Sequence, residues 1–338
     1  MSASVACAAP TRGTDGVEVS EAPQLLPSWR PGPVRDAVTA FLDAATEVAP
    51  RDRVACFDND GTLWCERPNY VQLDFFIDAL RARAADDPSV TTTPEFAALL
   101  SGDKAAVGEL GLTRIAMALV GLFEGMTPGA FADRVRDFLA RATHPTLGRP
   151  VRATTYRPVL ELIDALRRLD FTVCLVTGGG TEFVRAVSQD LYGVPPEAVV
   201  GTLVTYAYST EPAGPDGTPR PILRRTTGLM GEANEGAAKV SNIQAQLGRR
   251  PILAAGNSAG DREMLEWAAA GVGPTLAVLI DHDDAAREFR YVSSAETSRE
   301  PEPITDVGAR EGWTLVSVAN DWATVFGDET PGTTSHRG

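Results

Sequence analysis

An alternation narrows the fold of this chain more than any other feature. From Arg157 onward the apolar pattern switches repeatedly between helical spacing and short unbroken runs. It predicts helix Arg157–Leu169, strand Phe171–Thr177, helix Thr181–Tyr192, strand Val199–Tyr206, helix Glu235–Leu247, strand Pro251–Ala255, helix Asp261–Ala270 and strand Leu276–Ile280. Apolar runs without polar alternation are strands covered on both faces, and helices between them are crossovers. The pattern therefore requires an α/β fold with a doubly wound, mostly parallel sheet. An earlier run, Arg53–Phe57, follows an amphipathic stretch at Val34–Val48 and supplies the first strand. Gly214-Pro215-Asp216-Gly217 reads as the turn of a small hairpin, Trp313–Val318 as a late strand, and Asn320–Phe326 as a short closing helix.

Between the first strand and the alternating region, Tyr70–Ala142 has helical spacing only. Val71, Phe75, Phe76 and Leu80 recur at three and four, as do Ile115, Leu119 and Leu122, then Phe131, Val135, Phe138 and Leu139. Thr127-Pro128 is a cap followed by proline at the first helical position. The expected organisation is an α/β core at 31–66 and 150–326, interrupted by a helical domain at 67–149. Residues 1–30 and 327–338 read as tails, since they are rich in small and turn-forming residues without periodicity.

The 338 residues are 43% hydrophobic and 22% charged, a globular composition, and 31 Lys and Arg against 45 Asp and Glu leave a net charge of −14. That balance excludes nucleic acid or an anionic membrane as a partner held by general electrostatics. No apolar stretch approaches the ~18 residues of a membrane span. Cys7, Cys56, Cys65 and Cys174 have neither CxxC spacing nor the density of a disulfide scaffold, so they read as reduced. The opening segment lacks a basic region followed by an apolar one, although Val5-Ala6-Cys7 faintly echoes a lipoprotein cleavage box; the expected compartment is the cytoplasm. His144 and His336 have no metal or triad spacing.

Four short motifs carry chemistry. Asp58-Asn59-Asp60-Gly61-Thr62 directly follows the first strand, and ligands of an open parallel sheet bind beyond the carboxyl ends of its strands. Carboxylates at positions 58 and 60 repel unless a cation or proton lies between them, and Mg²⁺ takes one or two carboxylates together with waters and phosphate oxygens. The plain alternative is a solvated acidic turn. Thr177-Gly178-Gly179-Gly180-Thr181 ends a second strand, and glycines let backbone N–H groups approach an anion closely. It lacks the full dinucleotide fingerprint. Lys239 lies early in a predicted helix, and Gly256-Asn257-Ser258-Ala259-Gly260-Asp261 follows another buried strand.

In this order the motifs DxDGT, (S/T)GG, a helical Lys and GNSxxD resemble the haloacid dehalogenase superfamily, and within it the phosphoserine phosphatase-like branch, over about residues 50–280. The resemblance implies a phosphatase. Asp58 would be the nucleophile that forms an aspartyl-phosphate, and Asp60 the general acid and then base. Thr177, Gly178 and Gly179 would bind the phosphoryl oxygens, with Lys239 neutralising both nucleophile and phosphoryl group. Asp58, the Asp60 carbonyl, Asp261 and Asn257 would form the Mg²⁺ site. The helical domain would be the cap that selects substrate.

Two positions depart from the pattern. Many relatives have Asp where this chain has Asn257, which removes one formal charge from the metal site. Phosphoserine phosphatases place Glu nine positions beyond the nucleophile; here that position is Arg67, preceded by Glu66. Glu66 and Arg67 are candidate substrate contacts, with surface salt bridges as the alternative. Asp281-His282-Asp283-Asp284 reads as an acidic helix start, leaving His282 outside the site. The reading is a Mg²⁺-dependent phosphatase of a small phosphorylated metabolite, monomeric or homodimeric. Its alternatives are a phosphotransferase to an acceptor alcohol and a catalytically silent relative that binds a phosphorylated ligand.

Overall fold

The structure is a computed structural model and describes residues 25–213, 218–293 and 302–327. Proline at the first position opens α1 (Pro33–Ala45), whose Val38, Phe41, Leu42 and Ala45 turn inward. β1 (Val54–Phe57) is buried at all four residues, as a central parallel strand must be. Five helices follow without an intervening strand: α2 (Val71–Asp86), α3 (Pro94–Ser101), α4 (Lys104–Leu110), α5 (Leu112–Gly121) and α6 (Pro128–Arg141). Leu80, Leu99, Ile115 and Leu119 give this insertion a small apolar centre of its own. Phe75 stacks on Phe123 at 5.2 Å within the insertion and ties it to the main core through Phe183 of the alternating region, at 5.5 Å.

The alternating region then builds the sheet. Its elements are α7 (Arg157–Arg168), β2 (Thr172–Gly180), α8 (Thr181–Arg185), α9 (Ser188–Tyr192), β3 (Val199–Ala213), β4 (Thr218–Met230), α10 (Ala237–Leu247), β5 (Leu253–Gly256), α11 (Arg262–Ala269), β6 (Leu276–Asp281), α12 (Ile304–Glu311), β7 (Thr314–Ser317) and α13 (Val318–Asp321). Seven strands lie in the order β4-β3-β2-β1-β5-β6-β7, and only the β3–β4 pair is antiparallel. Parallel register places Cys56 beside Cys174 on one side and Ala254 on the other. The fold is the doubly wound α/β arrangement that the alternation requires. Among the described residues no helix is long and apolar enough to cross a membrane.

Several expectations are corrected. Residues 25–30 are not tail: Leu26 and Trp29 are almost fully buried, Trp29 Nε1 donates to the Pro158 carbonyl at 2.9 Å, and both the amide and hydroxyl of Ser28 donate to the Glu161 carboxylate. The short apolar set Leu25, Leu26 and Trp29 lies in a composition otherwise typical of a tail, so its burial left no periodic trace. The helix expected at Thr181–Tyr192 breaks at Ala186–Val187 into α8 and α9. The glycines before it stay extended, with Gly180 paired to Thr202. β3 runs on to Ala213 because β4 pairs along its whole length; the turn at 214–217 lies outside the described residues. The closing helix ends at Asp321, and Phe326 instead pairs with Tyr156. Residues 1–24 and 328–338, with Cys7 and His336, also lie outside the described residues. Cys56, Cys65 and Cys174 are free and buried.

The buried Trp29 gives the first test. Trp29→Ala should lower the unfolding free energy by about 3–5 kcal/mol, the usual cost of emptying a buried tryptophan site. Urea unfolding reads it, and a loss below ~1 kcal/mol would mean that this segment does not belong to the cooperative core.

Candidate active site

The strand order reverses on either side of β1, and a sheet that reverses in this way opens a crevice at the carboxyl ends of the strands beside the switch. Asp58 follows β1, Thr177 lies near the end of β2, Asn257 follows β5 and His282 follows β6. The Asp58 amide continues the sheet by donating to the Ala255 carbonyl at 2.9 Å. Beyond it the chain folds back, with the Gly61 amide donating to the Trp64 carbonyl at 2.9 Å. Gly61 has φ +74°, and a Cβ there would lie 2.0 Å from Asn257 Nδ2, so both conformation and space demand glycine.

The centre of the crevice is an ion triplet. Lys239, only 2% exposed, reaches from the first turn of α10 and donates to Asp58 Oδ1 and Asp261 Oδ1, each at 2.6 Å, and to the Val176 carbonyl at 3.0 Å. Burial alone would lower the ammonium; the Asp261 and Asp58 charges outweigh it and hold Lys239 above its ordinary value. Burial, then the charge of Asp261, pushes the Asp58 carboxyl well up against the opposing pull of Lys239. The triplet sets two carboxyl groups against one ammonium, so a single positive charge serves both acids. Burial also raises Asp60, against the indole N–H of Trp64, which donates to Asp60 Oδ1 at 2.8 Å.

Asp261 is fixed by its own turn. Its Oδ2 accepts from the amides of Asn257 at 3.0 Å and Ser258 at 2.9 Å and from the Ser258 hydroxyl at 3.1 Å, completing a capping box. A Cβ at position 256 would lie 2.5 Å from Asp261 Cβ, so Gly256 is what lets this carboxylate approach. Asn257 Nδ2 donates to Glu66 Oε1 and to Ser293 Oγ, both at 3.1 Å. That assignment turns Oδ1 toward Asp58. Asn257 Oδ1 and Asp58 Oδ2 then share one donor, the Thr62 hydroxyl, at 3.5 and 3.4 Å. Two oxygens converging on a single distant proton, beside two acids that share one ammonium, suit a hard cation. Among the described residues no three His, Cys, Asp or Glu form a metal cage. Mg²⁺ does not need one, because it keeps waters and substrate oxygens as ligands.

At the end of β2, Thr177 is fully buried and its hydroxyl accepts from the Gly179 amide at 3.0 Å. The Gly180 amide donates to Gln72 Oε1 at 2.8 Å, and Asn234 Nδ2 donates to the Thr177 carbonyl at 2.9 Å. Glu235 packs against Gly178, where a Cβ would lie 2.6 Å from its Oε1. Between these flanking groups the Gly178 region remains half-exposed, facing the crevice.

A buried relay braces the loop from behind. Among the described residues no helix begins at 281–284, so the expected acidic helix start is corrected: His282 turns inward, placing Nε2 2.8 Å from the Gly61 carbonyl and Nδ1 2.7 Å from Glu288 Oε1. The Tyr156 hydroxyl donates to Glu288 Oε2 at 2.7 Å, and the imidazole stacks on Tyr291 with centroids 4.7 Å apart. Burial would lower the imidazole, but the Glu288 carboxylate, then Glu66 and the Gly61 carbonyl, hold it above its ordinary value. With acceptors at both nitrogens, the ring is an imidazolium.

The structure thus brings together Asp58, Asp60, Lys239, Thr177, Gly178, Gly179, Asn257 and Asp261. Glu66 and Arg67, expected as substrate contacts or surface charges, each meet protein groups near the site. Glu66 is buried behind Asn257, while the Arg67 guanidinium lies 4.3 Å from the Tyr291 ring centroid and its carbonyl receives His144 Nε2 at 2.6 Å. Sequence reasoning missed Gln72, Asn234, His282, Glu288 and Ser293. Only His282 carried a signal, its place at a strand end.

Fold and site together define a hydrolase of the haloacid dehalogenase type. Residues 55–266 match the family described as haloacid dehalogenase-like hydrolase, and the chain belongs to that family. Among solved structures it is similar to a functionally unknown protein from Anaerococcus prevotii DSM 20548, at 13% identity over 86% of this chain and 94% of that one, TM-score 0.53. It is also similar to a protein with unknown function from Bordetella pertussis Tohama I, at 17% identity over 78% of this chain and 97% of that one, TM-score 0.50. An HAD family hydrolase from Salmonella enterica subsp. enterica serovar Typhi aligns at 15% identity over 73% and 67%, TM-score 0.39. A comparison with curated proteins found no match.

Two predictions follow from the geometry. Asn257→Asp would set a carboxylate oxygen against Glu66 Oε1, so in EDTA it should cost about 3 kcal/mol of stability, the scale of an uncompensated buried charge. Adding Glu66→Gln restores a donor and should return at least about half of that loss; strict additivity in urea unfolding would mean that the two side chains do not meet. The second concerns pH. Because His282 is raised in the folded state, its proton contributes stability fully below the unfolded value of about 6.5 and loses it as pH rises through the higher folded value. The stability difference between wild type and His282→Gln should therefore shrink as pH rises, and a pH-independent difference would mean that the ring is neutral.

Proposed function

We propose that this hydrolase is a Mg²⁺-dependent phosphomonoesterase acting on a small phosphorylated metabolite through an aspartyl-phosphate. The observation that carries the reading is the Asp58–Lys239–Asp261 triplet, held at the switch point beside the half-exposed Gly178 turn. Phosphoryl transfer asks a protein mainly for positioning and charge compensation, and both are built here.

One oxygen of the Asp58 carboxylate attacks phosphorus while the bond to the leaving oxygen breaks. Asp60 gives that oxygen its proton, a role suited to a carboxyl raised by burial. Asp60 then takes a proton from water, the water oxygen bonds to phosphorus, and the Asp58 carboxylate leaves with its electron pair. The products are alcohol and inorganic phosphate. The Thr177 hydroxyl, oriented by the Gly179 amide, and the Gly178 amide hold the phosphoryl oxygens, and Lys239 keeps Asp58 aimed and offsets the charge gathering on the transferred group. Asp58, the Asp60 carbonyl, Asn257 and Asp261 would hold Mg²⁺, which when bound supplies positive charge to the phosphoryl oxygens. The helical insertion, residues 67–149, would serve as the cap. Buried free thiols suit the reducing cytoplasm.

Asp58→Asn preserves shape and removes the nucleophile. Phosphate release from an aryl phosphate should fall at least a thousandfold, about 4 kcal/mol of barrier, and the phosphorylated enzyme seen by intact mass after rapid quenching should disappear. Retention of a tenth of the rate would overturn the mechanism.

A further inference from the structure

A cavity of about 230 Å³ lies beside the glycine turn, walled by Phe76, Val120, Phe131, Leu203 and Leu229 and floored by Gly178–Gly180. Its floor lies two residues along β2 from the Val176 carbonyl that Lys239 holds. Lys239 Nζ bonds both Asp58 and the Val176 carbonyl, and Thr177 and Gly178 follow Val176 directly. Two chain segments build its roof. The α5–α6 connection and β4 exchange backbone hydrogen bonds, Gly125 N–H to the Arg225 carbonyl at 2.9 Å and Arg225 N–H to the Met126 carbonyl at 2.8 Å, and Arg224 Nη1 donates to the Gly125 carbonyl at 2.6 Å.

The lining has two charged groups, and they consume one another. The Arg225 guanidinium, 4% exposed, pairs with the Glu182 carboxylate and lies 4.0 Å from the Phe131 ring centroid. The pair leaves no net charge in the wall to favour an ammonium or a carboxylate, and burying either without a counter-charge is unfavourable. A dry apolar cavity of about 150 Å³ already holds benzene. The volume here accommodates a single substituted ring or an alkyl chain of comparable bulk.

We propose that this cavity is the leaving-group pocket and that it takes an uncharged, apolar alkyl or aryl group, so that the substrates are alkyl or aryl phosphomonoesters and not phosphorylated amino acids. This rests on the phosphomonoesterase reading for its chemistry, but the pocket itself can be tested without turnover. Arg67 in place of the Glu that serves phosphoserine phosphatases points the same way: nothing at that position receives an ammonium.

The test uses n-alkyl phosphates from ethyl to hexyl, whose leaving alcohols have nearly constant acidity, with the full chain and Mg²⁺. Each methylene that enters the cavity should raise kcat/KM about fourfold until the space is filled, and propyl phosphate should exceed phosphoethanolamine, its near-isostere with an ammonium, at least tenfold. Val120→Trp and Leu229→Trp fill the cavity from opposite walls. Each should flatten the series at a shorter chain while inorganic phosphate inhibits as in wild type, and circular dichroism melting checks that each folds. In parallel, calorimetry follows binding of the matching alkylphosphonates, which cannot be hydrolysed. A flat series in both kinetics and binding, or preference for phosphoethanolamine, overturns the pocket. A rising phosphonate series without phosphate release from any ester would uphold the pocket and overturn the phosphomonoesterase reading.

Discussion

Everything in the crevice is arranged around one ammonium held between two buried carboxylates. Lys239 sits 2.6 Å from both Asp58 and Asp261, and desolvating three charges is unfavourable unless their geometry is tightly held. The scaffold supplies that rigidity by hanging each member on a different element of one sheet edge: Asp58 at the end of β1, Asp261 in the capping box after β5, and Lys239 in the first turn of α10. The third Lys239 donor goes to the Val176 carbonyl of β2, so a single side chain links the three strands beside the switch point. Asp58 and Asp261 are two acids served by a single positive charge. That imbalance suits the site to a cation.

Around the triplet lies a second set of contacts that alternate donor and acceptor. Glu66 and Ser293 receive the Asn257 amide, which turns the amide oxygen toward Asp58; His282 supports the Gly61 carbonyl and is itself supported by Glu288 and Tyr156. Behind the uncharged amide at position 257 there is thus a carboxylate one residue layer further out. An Asp at 257 would face that carboxylate, so the Asn and Glu66 make sense only as a pair. The same logic places an imidazolium in the interior: with an acceptor at each nitrogen, a neutral ring would leave one of them facing a lone pair.

Much of this was legible in the sequence, and the limits have physical reasons. The core was readable because a both-sides-buried strand and an amphipathic helix have different periods, and the four motifs were readable because each follows a predicted strand or opens a helix. What stayed hidden were contacts between residues far apart in the chain. Glu66 and Asn257 are separated by 191 positions, and His282 and Gly61 by 221. Neither pair leaves a local pattern. The Asp-rich stretch around His282 has the composition of a helix start, yet Ser317 and Ala319 bind Asp283 and Arg287 binds Asp284, so tertiary partners use the carboxylates that a helix dipole would have attracted. Trp29 was hidden for the opposite reason: a few apolar residues have no period, and only their partners on α7 and Trp322 show that they are core.

The division of labour between sheet edge and insertions explains how such a fold separates chemistry from choice. Each group of the triplet is fixed by the end of a strand, a cap or the first turn of a helix, where a shift of an ångström would break the ion geometry. The roof of the neighbouring cavity comes instead from α5, α6 and β4, segments that touch the glycine turn but none of the three charges. Phe131, Val120 and Leu229 can change size or polarity without disturbing the contacts that hold Lys239. Gly178 is the joint between the two: its backbone belongs to β2, its face opens on the cavity, and a side chain there would meet Glu235. Substitution in the roof reshapes the cavity and leaves the triplet in place, whereas substitution at the joint reaches both.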